Sequence, residues 1–411
     1  MPSSTRFVIV ADHCWDGVGS RPTGPTAVVV DNGTIVSVSP VTGEVRQGDA
    51  AIVELGRRTL LPGLIDCHVH LVDERLDIAS AAYQALRAVP PMRALLANGF
   101  TTVRDLGSAG DAINVGLRQA VDTGLVEGPR LFVAPNIIST PGGHGDKMPQ
   151  LTERYGVEIG TIAAGADQLR KLVREQLRFG ADWIKFAASG GFSSAADTPD
   201  QVSFTLAEMT AIVDTARDLG LPCAAHAVND ESVRRALRAG VRSIEHASLV
   251  TAETLASIAE HGAYLVPTLY GPRYFVDHLD DDDFWTDYEP RMRAKIRRHA
   301  EQIKASAELL AASDVDIAYG TDAGMFPHGD NWREFQAMDE VGISPLRTLR
   351  AATSVAADLL NRPDLGRIEQ GATADLIAVD GHPFTDIEAM GRVEFVMQNG
   401  VIRLDPRAPD R

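Results

Sequence analysis

The 411-residue chain lacks the features that mark several common classes of protein. No stretch approaches the roughly 20 consecutive apolar residues of a membrane span, and the first residues lack the apolar core of a signal peptide. Basic residues are in the minority, with 39 lysines and arginines against 56 aspartates and glutamates. The formal net charge of −17 argues against nucleic acid or an anionic membrane surface as a partner, because both bind basic patches.

Cysteine is scarce as well, with three residues in the whole chain: Cys14, Cys67 and Cys223. An odd number cannot pair completely, and Cys67 and Cys223 fall in apolar, strand-like segments where inert thiols are common. Such usage is typical of a reducing compartment. Together with the missing signal core, it predicts a cytoplasmic protein.

Core-forming residues are present in ordinary amounts. Hydrophobic residues make up 45% of the chain and charged residues 23%, as in soluble globular proteins. The length exceeds that of a typical single domain. We therefore expect one large domain with a smaller one attached.

Both ends of the chain alternate short β-rich runs with turns. Near the N-terminus, Asp31-Asn32-Gly33 is a strong hairpin signal between two such runs. The C-terminal runs, at 374–380 and 394–402, follow the same pattern. Because a few hairpins bury too little surface to be stable alone, we predict one small β-sandwich domain from residues 1–58 and 363–411.

The middle of the chain, residues 59–362, alternates apolar strands with helical segments, as α/β folds do. Near-continuous apolar strands suit a parallel sheet that is covered on both faces. Eight is the number of strands that closes a (β/α)8 TIM barrel, which we predict here. The predicted strands are Leu60–His70, Thr101–Asp105, Leu131–Pro135, Trp183–Ala187, Cys223–His226, Ser243–His246, Tyr264–Thr268 and Ile317–Asp322.

His68 and His70 end the first predicted strand. Because side chains alternate along a strand, the two imidazoles project from one face. Two imidazoles on one face can bind a single metal ion, and zinc sites often contain several histidine ligands. A pair of packed, hydrogen-bonded histidines is the alternative. The tripeptide alone does not decide between them.

Other ionisable residues fall at the ends of other predicted strands. Lys185 lies in the fourth, His226 ends the fifth, His246 the sixth and Asp322 the eighth. Barrel enzymes carry their catalytic residues at these carboxyl ends. A lysine inside an apolar strand is also costly as an unpaired ammonium. The pattern favours a metal-dependent active site over packed histidines.

These residues resemble the amidohydrolase superfamily, and the resemblance covers nearly the whole chain. Further motifs resemble the imidazolonepropionase-related branch, which includes Xaa-Pro and Xaa-Arg/Lys dipeptidases. The motifs are Leu61-Pro62-Gly63-Leu64-Ile65-Asp66, Gly99-Phe100-Thr101-Thr102-Val103-Arg104-Asp105, Gly142-Gly143-His144, Ala225-His226-Ala227, Ile244-Glu245-His246, Gly320-Thr321-Asp322-Ala323-Gly324 and Pro327-His328-Gly329-Asp330-Asn331.

The resemblance implies a site for two divalent metal ions, expected to be zinc. It places His68, His70 and Asp322 on one ion, and assigns the other ion to His226 and His246. Lys185 would bridge the two after CO2 converts it to a carbamate, since an ammonium cannot bind a metal. Two-metal sites provide hydroxide at neutral pH. Asp322 is then the predicted general base and acid.

Substrate contacts are predicted from position and resemblance. His144 is either an exposed loop histidine or, as the resemblance implies, a catalytic donor to the scissile carbonyl. Val228 stands where the dipeptidase branch carries a substrate-binding tyrosine. Tyr270 and Arg273 follow the seventh strand, and an arginine there is able to bind a carboxylate. His328 is a further candidate, with a structural role as its alternative.

The sequence thus predicts a hydrolase that cleaves an amide bond of a small substrate, a dipeptide or N-acyl amino acid. A carbamate, urea-type or other xenobiotic amide stays open as substrate, as do a deaminase and a non-catalytic metal-binding barrel. Lys185 favours the binuclear hydrolase. The acidic run at 280–283 is expected to be a solvated face, with a lid as its alternative. The oligomeric state, including a homo-oligomer, stays open.

Overall fold

The computed structural model describes residues 6–43, 50–72, 79–108, 112–146, 154, 156 and 160–405. Its strands are β1 (Arg6–Ala11), β2 (His13–Cys14), β3 (Thr26–Asp31), β4 (Thr34–Pro40), β5 (Ala51–Glu54), β6 (Thr59–Pro62), β7 (Leu64–Val69), β8 (Phe100–Asp105), β9 (Arg130–Val133), β10 (Ile137–Ser139), β11 (Thr161–Ile162), β12 (Ile184–Ala187), β13 (Cys223–Asn229), β14 (Ser243–Leu249), β15 (Tyr264–Val266), β16 (Leu376–Val379), β17 (Val393–Gln398) and β18 (Val401–Leu404).

The α-helices are α1 (Ala81–Ala97), α2 (Ile113–Asp122), α3 (Ala166–Phe179), α4 (Leu206–Asp218), α5 (Asp230–Ala239), α6 (Ala252–Glu260), α7 (Tyr270–Asp277), α8 (Pro290–Ala311), α9 (Arg333–Glu340), α10 (Pro345–Ala351) and α11 (Ser354–Leu359). Short 3-10 helices cover Phe284–Asp287, His328–Asp330 and Ile387–Gly391. Within the described ranges, no helix is both long and apolar enough to cross a membrane.

Parallel strands and helices alternate through the middle of the chain. One sheet has the order β7-β8-β9 and a second the order β11-β10-β12-β13-β14-β15, and every pairing within them is parallel. Apolar residues from these strands and from the intervening helices share one large buried cluster. The fold is of the TIM-barrel type, which confirms the predicted α/β class.

The eighth predicted strand, Ile317–Asp322, is an irregular segment rather than a regular strand. Its backbone still bonds to both neighbours: Ala318 N donates to Leu265 O at 2.9 Å, and Tyr319 O accepts from Cys67 N at 2.8 Å. The geometry departs from a strand where Asp322 takes a positive φ of 62°. The segment is therefore hydrogen-bonded to both β15 and β7, and its backbone turns sharply at Asp322.

The first predicted strand was wrong in extent, because Leu60–His70 divides at Gly63. Residues before the division form β6, which pairs with β16 and β2, whereas those after it form β7 and pair with β8. The Gly63 N–H donates to Asp375 O at 2.8 Å, and a Cβ at Gly63 would stand 2.3 Å from Thr101 Oγ1. Close packing therefore requires glycine at residue 63, the point where the chain passes from one sheet to the other.

Strands from the two chain ends meet in one sheet and share a buried apolar cluster with a second sheet. One sheet has the order β4-β3-β1-β5, and the other, β18-β17-β16-β6-β2, combines strands from the two ends. Their inner residues share a buried apolar cluster that includes Ile9, Val28 and Phe395. The predicted hairpin is present between β3 and β4, where Asn32 and Gly33 have φ values of 48° and 80°. Positive φ at both positions is what a type I′ turn needs.

Candidate metal centre and active site

Four histidines form a continuous row at the carboxyl ends of the parallel strands. The ring centroids of His70 and His68 lie 5.3 Å apart, those of His68 and His246 4.9 Å, and those of His246 and His226 4.7 Å. Asp322 reaches the same cluster: its Oδ1 lies 3.4 Å from His68 Nε2 and 3.3 Å from His70 Nε2. The fold therefore brings together imidazoles from three strands and a carboxylate from the irregular segment 317–322.

The donor atoms lie close enough to share a metal ion. Ligand atoms of His68, His246 and Asp322 all lie within 4.8 Å of one another. The resemblance assigned His246 to a different ion from the other two. In the structure, the two predicted ligand sets lie side by side in one contiguous row of imidazoles, with Asp322 next to His68 and His70.

Hydrogen bonds at the second ring nitrogen orient the histidines for metal binding. His68 Nδ1 lies 2.8 Å from Glu245 Oε2, and His70 Nδ1 lies 2.6 Å from Gly107 O. Both partners are acceptors, so each Nδ1 carries the hydrogen and the lone pair stays on Nε2. These Nε2 atoms are the ones that approach Asp322. The arrangement matches the way metal-binding histidines are usually held.

Two buried polar atoms in this region have no hydrogen-bond partner in the described part of the chain: His68 Nε2 and Lys185 Nζ. The Lys185 side chain is buried in β12. Burial lowers the pKa of Lys185 to about 8, although Glu245 and Asp322 act in the opposite direction. A buried polar group without a partner is costly. Both atoms, and the imidazole and carboxylate donors around them, fit a metal site.

A fully buried ion pair, which sequence reasoning missed, supports His68. Arg104 Nη2 donates to Glu245 Oε1 at 2.9 Å, and Glu245 holds His68 through its other oxygen. The guanidinium also donates to Cys67 O at 2.6 Å and lies 4.4 Å from the Trp183 ring centroid. Arg104 and Glu245 each lie within an apolar predicted strand, where charged residues are rarely buried unless they are paired, and that was the available signal.

Asp66, also missed, joins β7 to the segment that carries Asp322. Its carboxylate accepts from His68 N at 3.1 Å and from Thr321 Oγ1 at 2.7 Å. Burial raises the pKa of Asp66 to about 7, and the Thr321 hydroxyl is the largest opposing influence. These bonds hold the backbones of two predicted ligand segments against each other.

His144 is not an exposed loop histidine, contrary to one of its two interpretations. Its side chain is 14% exposed, and its ring stacks on that of His226 with centroids 4.3 Å apart and planes inclined by 13°. His144 Nδ1 lies 3.1 Å from Ser194 Oγ. The loop after β10 therefore delivers this imidazole to the edge of the histidine row.

One cavity of about 700 Å³ contains the histidine row and His144. Lys185 and Asp322 also line it. Much of the remaining wall is aromatic or apolar, with contributions from Ile137, Phe192, Tyr274, Phe275, Met292, Met325 and Phe326. Ligand pockets commonly combine such a wall with a few polar groups that orient the bound molecule.

The predicted substrate contacts divide into two groups. Val228 and His328 line the cavity, and His328 Nε2 lies 2.9 Å from His70 O. Tyr270 and Arg273 are not among the described lining residues. The Arg273 guanidinium instead pairs with Asp277 and Glu340. The Arg273 guanidinium thus binds carboxylates of the protein itself and does not face the cavity as predicted.

The acidic run is solvated, as expected. The side chains of Asp280 and Asp282 are 98% and 88% exposed and pair with Arg297 and Arg293 of α8. The residues just after it approach the cavity, since positions 287–289 belong to the lining.

Comparison with known proteins identifies the family. A model of the amidohydrolase family matches residues 59–403. The chain belongs to the amidohydrolase family. Ochratoxinase from Aspergillus niger is 29% identical over 357 residues, which cover 80% of this amidohydrolase and 72% of the relative.

Two further similarities confirm the branch. The crystal structure of a Xaa-Pro dipeptidase with bound methionine in its active site matches with a TM-score of 0.89 and 32% identity, over 97% of this chain and 100% of the other. Imidazolonepropionase from Paracoccus denitrificans is 26% identical over 388 residues, or 87% of this chain and 88% of the relative. The amidohydrolase is accordingly a hydrolytic enzyme that acts on carbon–nitrogen bonds.

A variant of the buried ion pair tests its role in this amidohydrolase. We expect Glu245→Gln to lower the free energy of unfolding by about 3–5 kcal/mol, because it leaves the Arg104 charge buried without a counter-ion. Weaker orientation of His68 is expected to reduce metal affinity by about 10–100-fold. Urea unfolding of the metal-free protein and metal titration measure the two effects separately.

The matched control is Glu231→Gln, which removes a carboxylate that pairs with Arg235 on the surface. Exposed pairs contribute about 0–1 kcal/mol, so the control should unfold almost as the parent does. An equally small change in Glu245→Gln would contradict the importance of the buried pair.

Proposed function

We propose that this amidohydrolase uses two divalent metal ions, zinc in the first instance, to hydrolyse an amide bond of a dipeptide or N-acyl amino acid. The observation that carries the proposal is the cluster of four histidines and Asp322 within one cavity that also contains the buried, unpartnered Nζ of Lys185. Six such donors exceed what one tetrahedral ion needs.

The residues divide by role. His68, His70 and Asp322 would hold one ion, His226 and His246 the other, and Lys185 would bridge them. For this the neutral Lys185 amine adds to CO2: a nitrogen–carbon bond forms, a proton leaves, and an anionic carbamate results. Bound divalent ions supply Lewis acidity, which polarises a carbonyl and lowers the pKa of water.

Asp322 and His144 perform the proton transfer and substrate orientation in this proposal. Asp322 Oδ1, within 3.4 Å of two imidazoles, takes a proton from the attacking water and returns it to the leaving nitrogen, which makes that nitrogen a better leaving group. His144, at the edge of the row, orients the scissile carbonyl. We also propose that residues 59–362 form a closed eight-stranded barrel. Residues 1–58 and 363–411 form one composite domain in this proposal.

Similarity to a Xaa-Pro dipeptidase and to ochratoxinase supports an amide substrate. The aromatic and apolar cavity wall suits a bulky substituent on one side of the bond. Val228, which is buried and lines the cavity, replaces the tyrosine of the dipeptidase branch. We therefore expect the substrate to be held differently from the dipeptides of that branch.

A substrate screen with counted metal ions tests the proposal. Metal-replete protein is expected to contain about two ions per chain and to release amino acids from a library of dipeptides and N-acyl amino acids. Chelation is expected to stop this release, and added Zn²⁺ to restore it, because the ions activate the water.

Two assays identify the competing functions. One ion per chain with ammonia as product would indicate a deaminase. Hydrolysis confined to carbamates or ureas would show that the substrate is one of these compounds and not a dipeptide or N-acyl amino acid. Protein that binds two ions but cleaves nothing in any of these libraries would contradict the catalytic proposal.

A further inference from the structure

We infer that Asp197, acting through Ser194 and held in place by Lys295, positions the His144 ring for catalysis. The three residues lie in the loop after β12 and on helix α8, outside the predicted metal ligands. The inference rests on the proposed function, since His144 must act on the substrate. Asp197, Ser194 and Lys295 are positioning residues in this scheme.

A chain of hydrogen bonds connects the carboxylate to the imidazole. Ser194 Oγ donates to Asp197 Oδ1 and lies 3.1 Å from His144 Nδ1. Asp197 is 4% exposed. Its second oxygen, Oδ2, is buried, has no hydrogen-bond partner in the described ranges and lies 4.0 Å from His144 Nδ1. The carboxylate therefore faces His144 both through the serine and directly.

Lys295 offsets the charge of the buried carboxylate. Its Nζ lies 3.5 Å from Asp197 Oδ1. The same ammonium donates to the carbonyl oxygens of Gly191, at 3.0 Å, and Ser194. A buried carboxylate is stable as an anion when it is paired and hydrogen-bonded in this way. Helix α8 thereby holds both ends of the short loop that faces His144.

The network fixes the direction in which the His144 ring points. An ionised Asp197 only accepts hydrogen bonds, so it receives the single proton of the Ser194 hydroxyl. The hydroxyl oxygen must then accept from His144 Nδ1–H. Without Asp197, the hydroxyl is free to rotate, and its oxygen no longer holds Nδ1–H in one direction, so the ring loses its fixed orientation.

Packing against Gly191 sets the position of the ring. A Cβ at residue 191 would stand 2.3 Å from His144 Cε1 and 2.4 Å from Nδ1. The ring also stacks on His226. Residue 191 must therefore be glycine, because a side chain there would displace the imidazole from the position in which its hydrogen bonds hold it.

Single and double variants of the full-length, metal-replete enzyme test the inference. Ser194→Ala and Asp197→Asn are each expected to lower kcat by about 100-fold, the cost of misplacing a catalytic group by about 1 Å. KM and the metal content are expected to stay within about threefold, because neither residue is a predicted metal ligand and Ser194 is only one of many residues that line the cavity. Gly191→Ala is expected to reproduce the loss of kcat without changing any charge.

A double-mutant cycle with His144→Ala distinguishes positioning from general structural support. If the network acts through His144, Ser194→Ala causes no further loss in the His144→Ala background, because coupled residues are not additive. An equal loss in both backgrounds would overturn the inference. Ser194→Ala removes one hydroxyl and keeps the test available if Asp197→Asn does not fold.

Asp200→Asn provides the matched control in the same loop. Asp200 pairs with His299 and Arg298 of α8 but is about half exposed, and we expect wild-type kcat. If Ser194→Ala and Asp197→Asn stay within twofold of an active wild type, the positioning role is wrong although the hydrolase proposal stands. A wild type without hydrolytic activity would instead refute the proposed function.

Discussion

Replacing Lys185 with alanine is expected to abolish hydrolysis and to remove metal from the protein. Lys185 is the group proposed to bridge the two ions, and its Nζ is buried without a hydrogen-bond partner in the described residues. Loss of several kcal/mol of metal-dependent stabilisation corresponds to a decrease in kcat/KM of about 10³ or more. Alanine also removes a costly buried amine, so the metal-free variant should fold.

Metal reconstitution separates the bridging role from other effects of the substitution. Metal-free wild type is loaded with Zn²⁺ with and without added bicarbonate, and bound metal is counted in each case. Bicarbonate is expected to increase loading of the wild type but not of Lys185→Ala. The control, Lys171→Ala, changes a lysine whose side chain is 76% exposed on α3 and should behave as wild type. Full activity of Lys185→Ala would refute the carbamate.

Asp322→Asn is expected to lower kcat by about 10²–10⁴, the range for loss of a general acid–base group. An amide cannot accept the proton of the attacking water. The variant retains an oxygen at the position that lies 3.3–3.4 Å from His68 and His70. Metal binding should consequently weaken less than turnover does. Steady-state kinetics at saturating Zn²⁺, with bound metal measured in the same samples, test this expectation.

Asp167→Asn is a suitable control for Asp322, because the Asp167 side chain is 99% exposed on α3. The two active-site variants should differ in kind: Lys185→Ala loses metal and activity together, whereas Asp322→Asn loses mainly activity. A metal-loaded Asp322→Asn enzyme with kcat within tenfold of wild type would show that another group transfers the proton.

Much of the fold was predictable because its signals are local. Alternation of apolar strands with helices predicted the barrel-type fold, and Asn32-Gly33 predicted the hairpin that the structure contains. The errors in strand limits arose where packing overrides the local pattern. The first predicted strand divides at Gly63, where the chain changes pairing partners and Thr101 leaves no space for a side chain.

The meeting of the candidate residues at one end of the strands was predictable, whereas the groups that hold them in place were not. His68 and His70 were identifiable because strand periodicity places them on one face. The pairing of Arg104 with Glu245 joins residues 141 positions apart, so no local pattern reveals it. Arg273 shows the same limit: its position after a strand did not reveal that Asp277 and Glu340 bind its guanidinium.

The sequence alone indicated the fold class and the residues at the strand ends through residue types and spacing along the chain, and it indicated the family through the resemblance of its motifs. The tertiary structure decided which of these residues meet. It placed Asp322 between His68 and His70, buried Lys185 without a partner among the described residues, and joined Ser194 and Asp197 to His144. Such contacts depend on how distant segments pack, and packing is a property of the whole folded chain.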